Sequence, residues 1–137
     1  IFFDIVNFSI LFSKYLVYNG LMVNELHIYL RVSSDIQKTD GFGLENQKEL
    51  GLKVSKIKGM KPIIHNEGSK SSNLETIEHR PILKNLLIKI DEGSVKNLWV
   101  YQMDRLSRND VVSFQIRQKL KKNNVKLFVN DSNEYDL

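Results

Sequence analysis

The chain has 137 residues, of which 42% are hydrophobic and 26% are charged, a composition typical of one globular domain. It has no cysteine, which excludes a disulfide scaffold, a thiolate nucleophile and a cysteine-ligated metal site, and its three histidines stand in no metal-ligand spacing. The net charge of +4 favours an anionic partner.

Residues 1–21 differ from the rest of the chain. They are rich in large apolar side chains, but Asp4, Asn7 and Lys14 interrupt them before they reach the roughly 20 apolar residues of a membrane-spanning helix. The basic start and the small-residue cleavage site of a signal peptide are also missing. We therefore expect an atypical N-terminal extension of no assigned function, no membrane partner, and one domain over residues 22–137.

From residue 26 onward, predicted strands alternate with predicted helices. Clusters of β-branched and aromatic residues predict four strands, at 27–33, 62–65, 97–103 and 125–129. Apolar residues spaced three or four apart predict three helices, from Leu44 to near Gly59, from Pro81 to near Gly93, and from Asp110 to Lys122. Residues 66–79 show no periodicity and predict a long loop.

This βαβαβαβ order predicts an α/β fold. Right-handed crossovers place such strands in a mainly parallel sheet, here of four to five strands, with helices on both faces. Ligand sites in sheets of this kind lie beyond the carboxyl ends of the strands. The segments that should form the site are therefore 31–37, 66–80, 104–108 and 130 onward.

Arginine and hydroxyl groups follow two of these strands. Arg31 and Ser33 end the first strand on the same side, because side chains alternate along a strand. Asp104, Arg105 and Arg108 follow the third strand. Guanidinium groups bind phosphate through paired, charge-assisted hydrogen bonds, and a hydroxyl needs such activation to act as a nucleophile. The pattern indicates phosphate chemistry at this edge.

Other interpretations remain open at this point. Ser33 could be a turn residue, Arg31 could pair with a nearby aspartate, and Asp104 could form a surface ion pair with Arg105. A remote His65 or His79 could complete a hydrolase triad with a serine. The two basic stretches, at 53–61 and 117–126, are either an anion-binding surface or solvated helix faces.

Four ordered motifs resemble the catalytic domain of serine site-specific recombinases, which include resolvases, invertases and transposon integrases. They are the YLRVSSDIQ run at 29–37, LENQ at 44–47, Arg80-Pro81 followed by Leu83, and DRLSR at 104–108. The wide spacing between the first two motifs is similar to that of the large-serine-recombinase and transposon branches.

The resemblance implies an enzyme that cuts and rejoins DNA. Ser33 would attack a phosphodiester, forming a 5′-phosphoserine link and freeing a 3′-hydroxyl. Arg31, Arg105 and Arg108 would clamp the scissile phosphate, and Arg80 would support it from a mobile loop. Gln37 and Gln47 would hydrogen-bond near the phosphate and position Ser33. Asp104 would either orient an arginine or take part in proton transfer.

The resemblance also implies partners and surroundings. The phosphoserine ester keeps the energy of the broken bond, so no metal, ATP or other cofactor is expected. Double-stranded DNA would be the partner, a homodimer or tetramer of the longer protein the active unit, and the cytoplasm the location. The chain ends before the dimerisation helix and DNA-binding domain of relatives, so a monomeric and inactive fragment is one expectation.

One departure from the family concerns the loop after the second strand. Relatives usually carry an aspartate there, whereas this chain has Asn66-Glu67-Gly68. Either Glu67 replaces that aspartate in a shifted register or the carboxylate role is absent. The alternative function is a non-catalytic α/β module that binds phosphate or nucleic acid, and covalent capture of DNA separates the two.

Overall fold

The strands and helices follow the predicted order. The structure is a computed structural model, and it describes residue 11 and residues 24–32, 43–69 and 76–137. Its elements are β1 (Glu25–Val32), α1 (Leu44–Lys58), β2 (Lys61–Ser69), α2 (Pro81–Asp91), β3 (Asn97–Val100), α3 (Asp110–Lys122), β4 (Lys126–Val129) and β5 (Glu134–Tyr135). The expectation for residues 1–21 lies outside the described residues, apart from Leu11.

One sheet organises the domain, with strand order β2-β1-β3-β4-β5. The first four strands pair in parallel, and β5 pairs antiparallel with β4. The prediction of a mainly parallel α/β sheet is therefore confirmed. Because parallel neighbours require crossover connections, each of the three helices carries the chain from one end of the sheet back to the other.

Helices cover both faces of the sheet, as predicted. On one face, α1 contributes Val54 to a cluster with Ile28, Trp99 and other alternate strand residues. On the opposite face, α2 and α3 pack against Tyr29 and its neighbours, with Leu86 and Ile116 fully or almost fully buried. Among the described residues, no helix is long and apolar enough to cross a membrane.

Gly51 lets α1 approach the sheet closely. A Cβ atom at this position would lie 2.8 Å from Cγ2 of Ile28 and 3.0 Å from Cε3 of Trp99, both in the core. We expect Gly51→Ala to destabilise the protein by about 1 to 2 kcal/mol, because overpacking outweighs the gain of about 1 kcal/mol in helix propensity. Chemical denaturation measures this. A more stable variant would show that the helix can shift outward freely.

Two predicted boundaries are wrong. Residues 66–69 were expected in a loop, but they extend β2 to Ser69 because β1 supplies partners as far as Val32. Pairing with a central strand thus overrides the low strand propensity of Asn, Gly and Ser. The third strand was expected to reach Met103, but β3 ends at Val100, and Met103–Arg105 form a 3-10 turn.

Candidate functional site

Three arginines lie together, buried, beyond the carboxyl ends of β1 and β3. Arg31 stands one residue before the end of β1, Arg105 lies in the turn that follows β3, and Arg80 immediately precedes α2. Each has at most 2% of its surface exposed. The parallel sheet brings Arg31 and Arg105 to the same edge, as predicted from the strand order.

The contacts within this arginine cluster converge on two carbonyl oxygens. Arg31 donates from Nε to the carbonyl of Arg105 at 3.1 Å and from Nη2 to the carbonyl of Asp104 at 2.6 Å. Arg80 donates from Nη1 to the same Arg105 carbonyl at 3.1 Å. Because both guanidinium groups bond one oxygen, their donor nitrogens lie within two hydrogen-bond lengths of each other.

The arginine cluster concentrates positive charge. Within it, Arg105 Nη1 contacts Asp104 Oδ1 at 3.1 Å. Nε and Nη2 of Arg80 are buried and have no acceptor among the described residues. Burying a charged donor without an acceptor is costly, and an anionic oxygen would remove that cost. The site is thus suited electrostatically to a phosphate group.

Gln47 and Asp104 lie beside the arginine cluster. Gln47 is fully buried in α1, and its Nε2 donates to the carbonyl of Arg31 at 3.1 Å. It therefore holds the backbone two residues before Ser33. Asp104 is half-buried, and its carboxylate accepts from the Arg105 guanidinium at 3.1 Å.

The remaining predicted site residues differ in whether the structure describes them and in how buried they are. Ser33 and Gln37 lie outside the described residues, although Ser33 directly follows the last residue of β1. Arg108 is exposed and follows the buried Ser107, whose Oγ accepts from the backbone N–H of Asn109 at 3.0 Å. Arg80 was expected on a mobile loop, but it is fully buried at the start of α2.

Two tyrosines to which the sequence analysis assigned no role lie beside the arginine cluster or on the strand that leads to it. The ring of Tyr101 lies 5.4 Å from the guanidinium carbon of Arg105, within the range of a cation–π contact. Tyr29 donates from its hydroxyl to the buried carboxylate of Glu67 at 3.1 Å. The sequence signal for Tyr29 was its position two residues before Arg31, on the same face of a buried strand.

The histidines of the hydrolase interpretation lie elsewhere. Nδ1 of His27 and Nε2 of His65 are hydrogen-bonded at 2.8 Å, and the two rings stack with their centroids 5.1 Å apart. His65 pairs in register with Tyr29, three residues before the end of β1. His65 is therefore hydrogen-bonded to His27. His79 lies exposed in the 3-10 turn before Arg80.

The histidine pair makes the stability of the fold depend on pH. Burial lowers the pKa of His65 to about 4, with smaller contributions from His27 and Lys89. Burial likewise lowers the pKa of His27, against the opposing effect of Glu25. The unfolded chain therefore binds protons more readily than the folded chain between about pH 6.5 and pH 4, and stability falls as the pH decreases through this range.

We expect acidification from pH 7 to pH 4 to cost about 1 to 2 kcal/mol through this pair, after allowance for solvent screening of the partly exposed His65. Denaturation midpoints measured across this range test it. His65→Gln removes a titrating group and should flatten the profile. An equally steep profile for His65→Gln would assign the effect to other groups.

The described part of the chain contains no group of three or more His, Asp or Glu residues that could hold a metal ion. The side chains at this edge of the sheet are the three buried guanidinium groups, one carboxylate and one amide, and the guanidinium of Arg108 is exposed.

Comparison with known proteins finds one matching family and several solved structures with a similar fold. A profile of the family described as "Resolvase, N terminal domain" matches residues 26–137. Among curated proteins, no sequence matches the chain. The C-terminal catalytic domain of ISC1926 TnpA, an IS607-like serine recombinase, is 29% identical with a TM-score of 0.62, over 78% of this chain and 69% of that one.

Two further solved structures share the fold. The N-terminal catalytic domain of TP901-1 integrase is 23% identical with a TM-score of 0.65, over 78% of this chain and 77% of that one. A resolvase family site-specific recombinase from Streptococcus pneumoniae is 22% identical with a TM-score of 0.65, over 81% of this chain and 75% of that one. At these identities, the similarity concerns the fold.

Proposed function

This chain belongs to the family of resolvase N-terminal domains, the catalytic domains of serine recombinases, and on that premise we propose that it cuts and rejoins DNA through a covalent phosphoserine. The nucleophile is Ser33, and the substrate is a phosphodiester of double-stranded DNA. The observation that carries the proposal is the buried cluster of Arg31, Arg80 and Arg105 at the end of the strand that leads into Ser33.

The chemistry is a pair of transesterifications. The Ser33 hydroxyl loses its proton and its oxygen bonds to phosphorus, while the bond from phosphorus to the 3′ oxygen breaks and that oxygen leaves as a 3′-hydroxyl. The phosphate keeps its bond to the 5′ oxygen of the DNA and is now also bonded to the serine oxygen. Attack by a 3′-hydroxyl of another strand reverses the step and restores the serine, so the reaction needs no net energy source.

The arginines supply electrostatic stabilisation. Charge grows on the phosphoryl oxygens in the transition state, and preorganised donors stabilise it without having to reorganise. We assign the phosphate contacts to Arg31, Arg105 and the exposed Arg108, and the buried Nε and Nη2 of Arg80 support them. Arg31 and Arg80 hold the carbonyl of Arg105 and raise the local positive potential.

Two glutamine amides and one carboxylate position the nucleophile and the arginines. Gln47 holds the carbonyl of Arg31, and through it the backbone that leads into Ser33. Asp104 orients Arg105 through their 3.1 Å contact. Gln37 is assigned a hydrogen bond near the phosphate on the basis of its family motif. The acting unit is a homodimer or tetramer on DNA, without a cofactor.

Covalent capture tests this function. The protein is incubated with end-labelled duplexes that carry its recombination sites, denatured, and examined for label that migrates with protein. The expected product is an adduct in which Ser33 is joined to a 5′ end, with a free 3′-hydroxyl opposite it. DNA binding without any adduct would instead assign the chain to the non-catalytic class of phosphate-binding modules.

A further inference from the structure

Glu67 lies at an irregularity in the pairing of β1 with β2. Leu30 pairs with Asn66, whereas the next residue, Arg31, pairs with Gly68, so Glu67 is an extra residue on β2. Gly68 adopts a φ of +78°, and its N–H donates to Oδ1 of Asn66 at 2.8 Å, which stabilises the local turn. Bulges of this kind redirect side chains and are common beside active sites.

The carboxylate of Glu67 joins two elements of the fold. It is 5% exposed, and its Oε2 accepts from the Tyr29 hydroxyl at 3.1 Å and from the Leu83 N–H at 2.8 Å. Its Oε1 accepts from the Ile82 N–H at 3.4 Å. The carboxylate thus bridges the centre of β1 and the first turn of α2.

Helix α2 depends on this carboxylate for its cap. The N-terminal N–H groups of a helix lack partners within the helix, and a negative charge there is favourable. Arg80, in the capping position, provides no side-chain cap, and Pro81 has no N–H to donate. Glu67 therefore supplies across the fold what a serine or aspartate normally supplies locally.

The start of α2 also determines where Arg80 lies. Arg80 directly precedes Pro81, its side chain is fully buried, and its Nη1 bonds the carbonyl of Arg105 at 3.1 Å. A displacement of the first turn would move this guanidinium relative to Arg105. Burial raises the pKa of Tyr29, and Glu67 raises it further, so the phenol stays protonated and remains a donor.

We propose that Glu67, held by Tyr29, is a positioning residue for recombination, because it fixes the first turn of α2 and thereby Arg80 in the arginine cluster. The expected effect of Glu67 on the rate of adduct formation rests on the proposed function. Glu67 acts through α2 and Arg80, at a distance from the scissile phosphate. Misplacement of a supporting group by about 1 Å can lower a reaction rate by roughly 100-fold.

The test compares Glu67→Gln and Tyr29→Phe with Ile90→Val. Ile90 is fully buried in the last turns of α2, so its variant weakens the same helix at the end away from Arg80. Single-turnover adduct formation at saturating DNA should fall about 10- to 100-fold for Glu67→Gln and less for Tyr29→Phe. Ile90→Val should keep the wild-type rate, and DNA affinity should be unchanged in all three variants.

A second readout does not depend on activity. The ¹⁵N–¹H signal of Arg80 Nε, assigned as the signal lost in Arg80→Lys, should shift in Glu67→Gln and stay in place in Ile90→Val. An unshifted signal, or an equal loss of rate in Ile90→Val, would reduce Glu67 to a cap that serves stability alone and overturn the inference. Absence of any adduct with the wild type would overturn the proposed function, while the Arg80 signal would still decide the positioning role.

Discussion

Ser33→Ala is expected to form no covalent adduct with DNA while it keeps wild-type DNA affinity. The substitution removes the oxygen that would bond to phosphorus and leaves the arginine cluster and the basic surfaces in place. Adduct is measured on a denaturing gel, and affinity by mobility shift at one fixed salt concentration, because phosphate contacts make binding depend on salt.

Ser34→Ala is the matched control for this experiment, since it removes a hydroxyl from the adjacent position. It should form adduct at close to the wild-type rate. Adduct that persists in Ser33→Ala and disappears in Ser34→Ala would move the nucleophile by one residue. Adduct that persists in both variants would place it on another hydroxyl and contradict the assignment of Ser33.

Arg108→Ala is expected to lower the rate of adduct formation about 100- to 1,000-fold, the usual cost of removing one preorganised donor from a developing oxyanion. Arg108 is exposed, so truncation of its side chain leaves the core unchanged. The denaturation midpoint should therefore stay close to that of the wild type. Single-turnover kinetics at saturating DNA separate this loss of rate from weaker binding.

Lys122→Ala is the control for loss of one positive charge. Lys122 is also exposed, at the last residue of α3. Its removal should weaken DNA binding slightly at low salt and leave the saturated rate unchanged. An Arg108→Ala variant that keeps more than about one tenth of the wild-type rate would show that Arg108 does not stabilise the transition state.

Arg31 illustrates how far local sequence could predict the site. Its place at the carboxyl end of the first strand correctly indicated that it lies at the sheet edge, and the topology correctly brought it near Arg105. Two of its partners are backbone carbonyls 73 and 74 residues away. Those contacts depend on where the turn after β3 places its peptide groups, which strand periodicity does not encode.

Glu67 and Arg80 show where prediction from sequence failed. A polar Asn-Glu-Gly-Ser run is typical of a loop, yet here it continues β2, because β1 offers unpaired backbone groups that outweigh local propensity. The family resemblance implied that Arg80 lies on a mobile loop. Burial of its side chain follows from contacts with Arg105, which lies 25 residues later.

By itself, the sequence determined the alternation of strands and helices, the parallel sheet with two covered faces, and the arginines at its carboxyl edge. These follow from the spacing of apolar residues, which reflects interactions between near neighbours in the chain. The tertiary structure alone decided that Arg31 and Arg80 share one carbonyl and that Glu67 caps α2. Such contacts join distant segments, so their geometry is set by how the helices pack on the sheet.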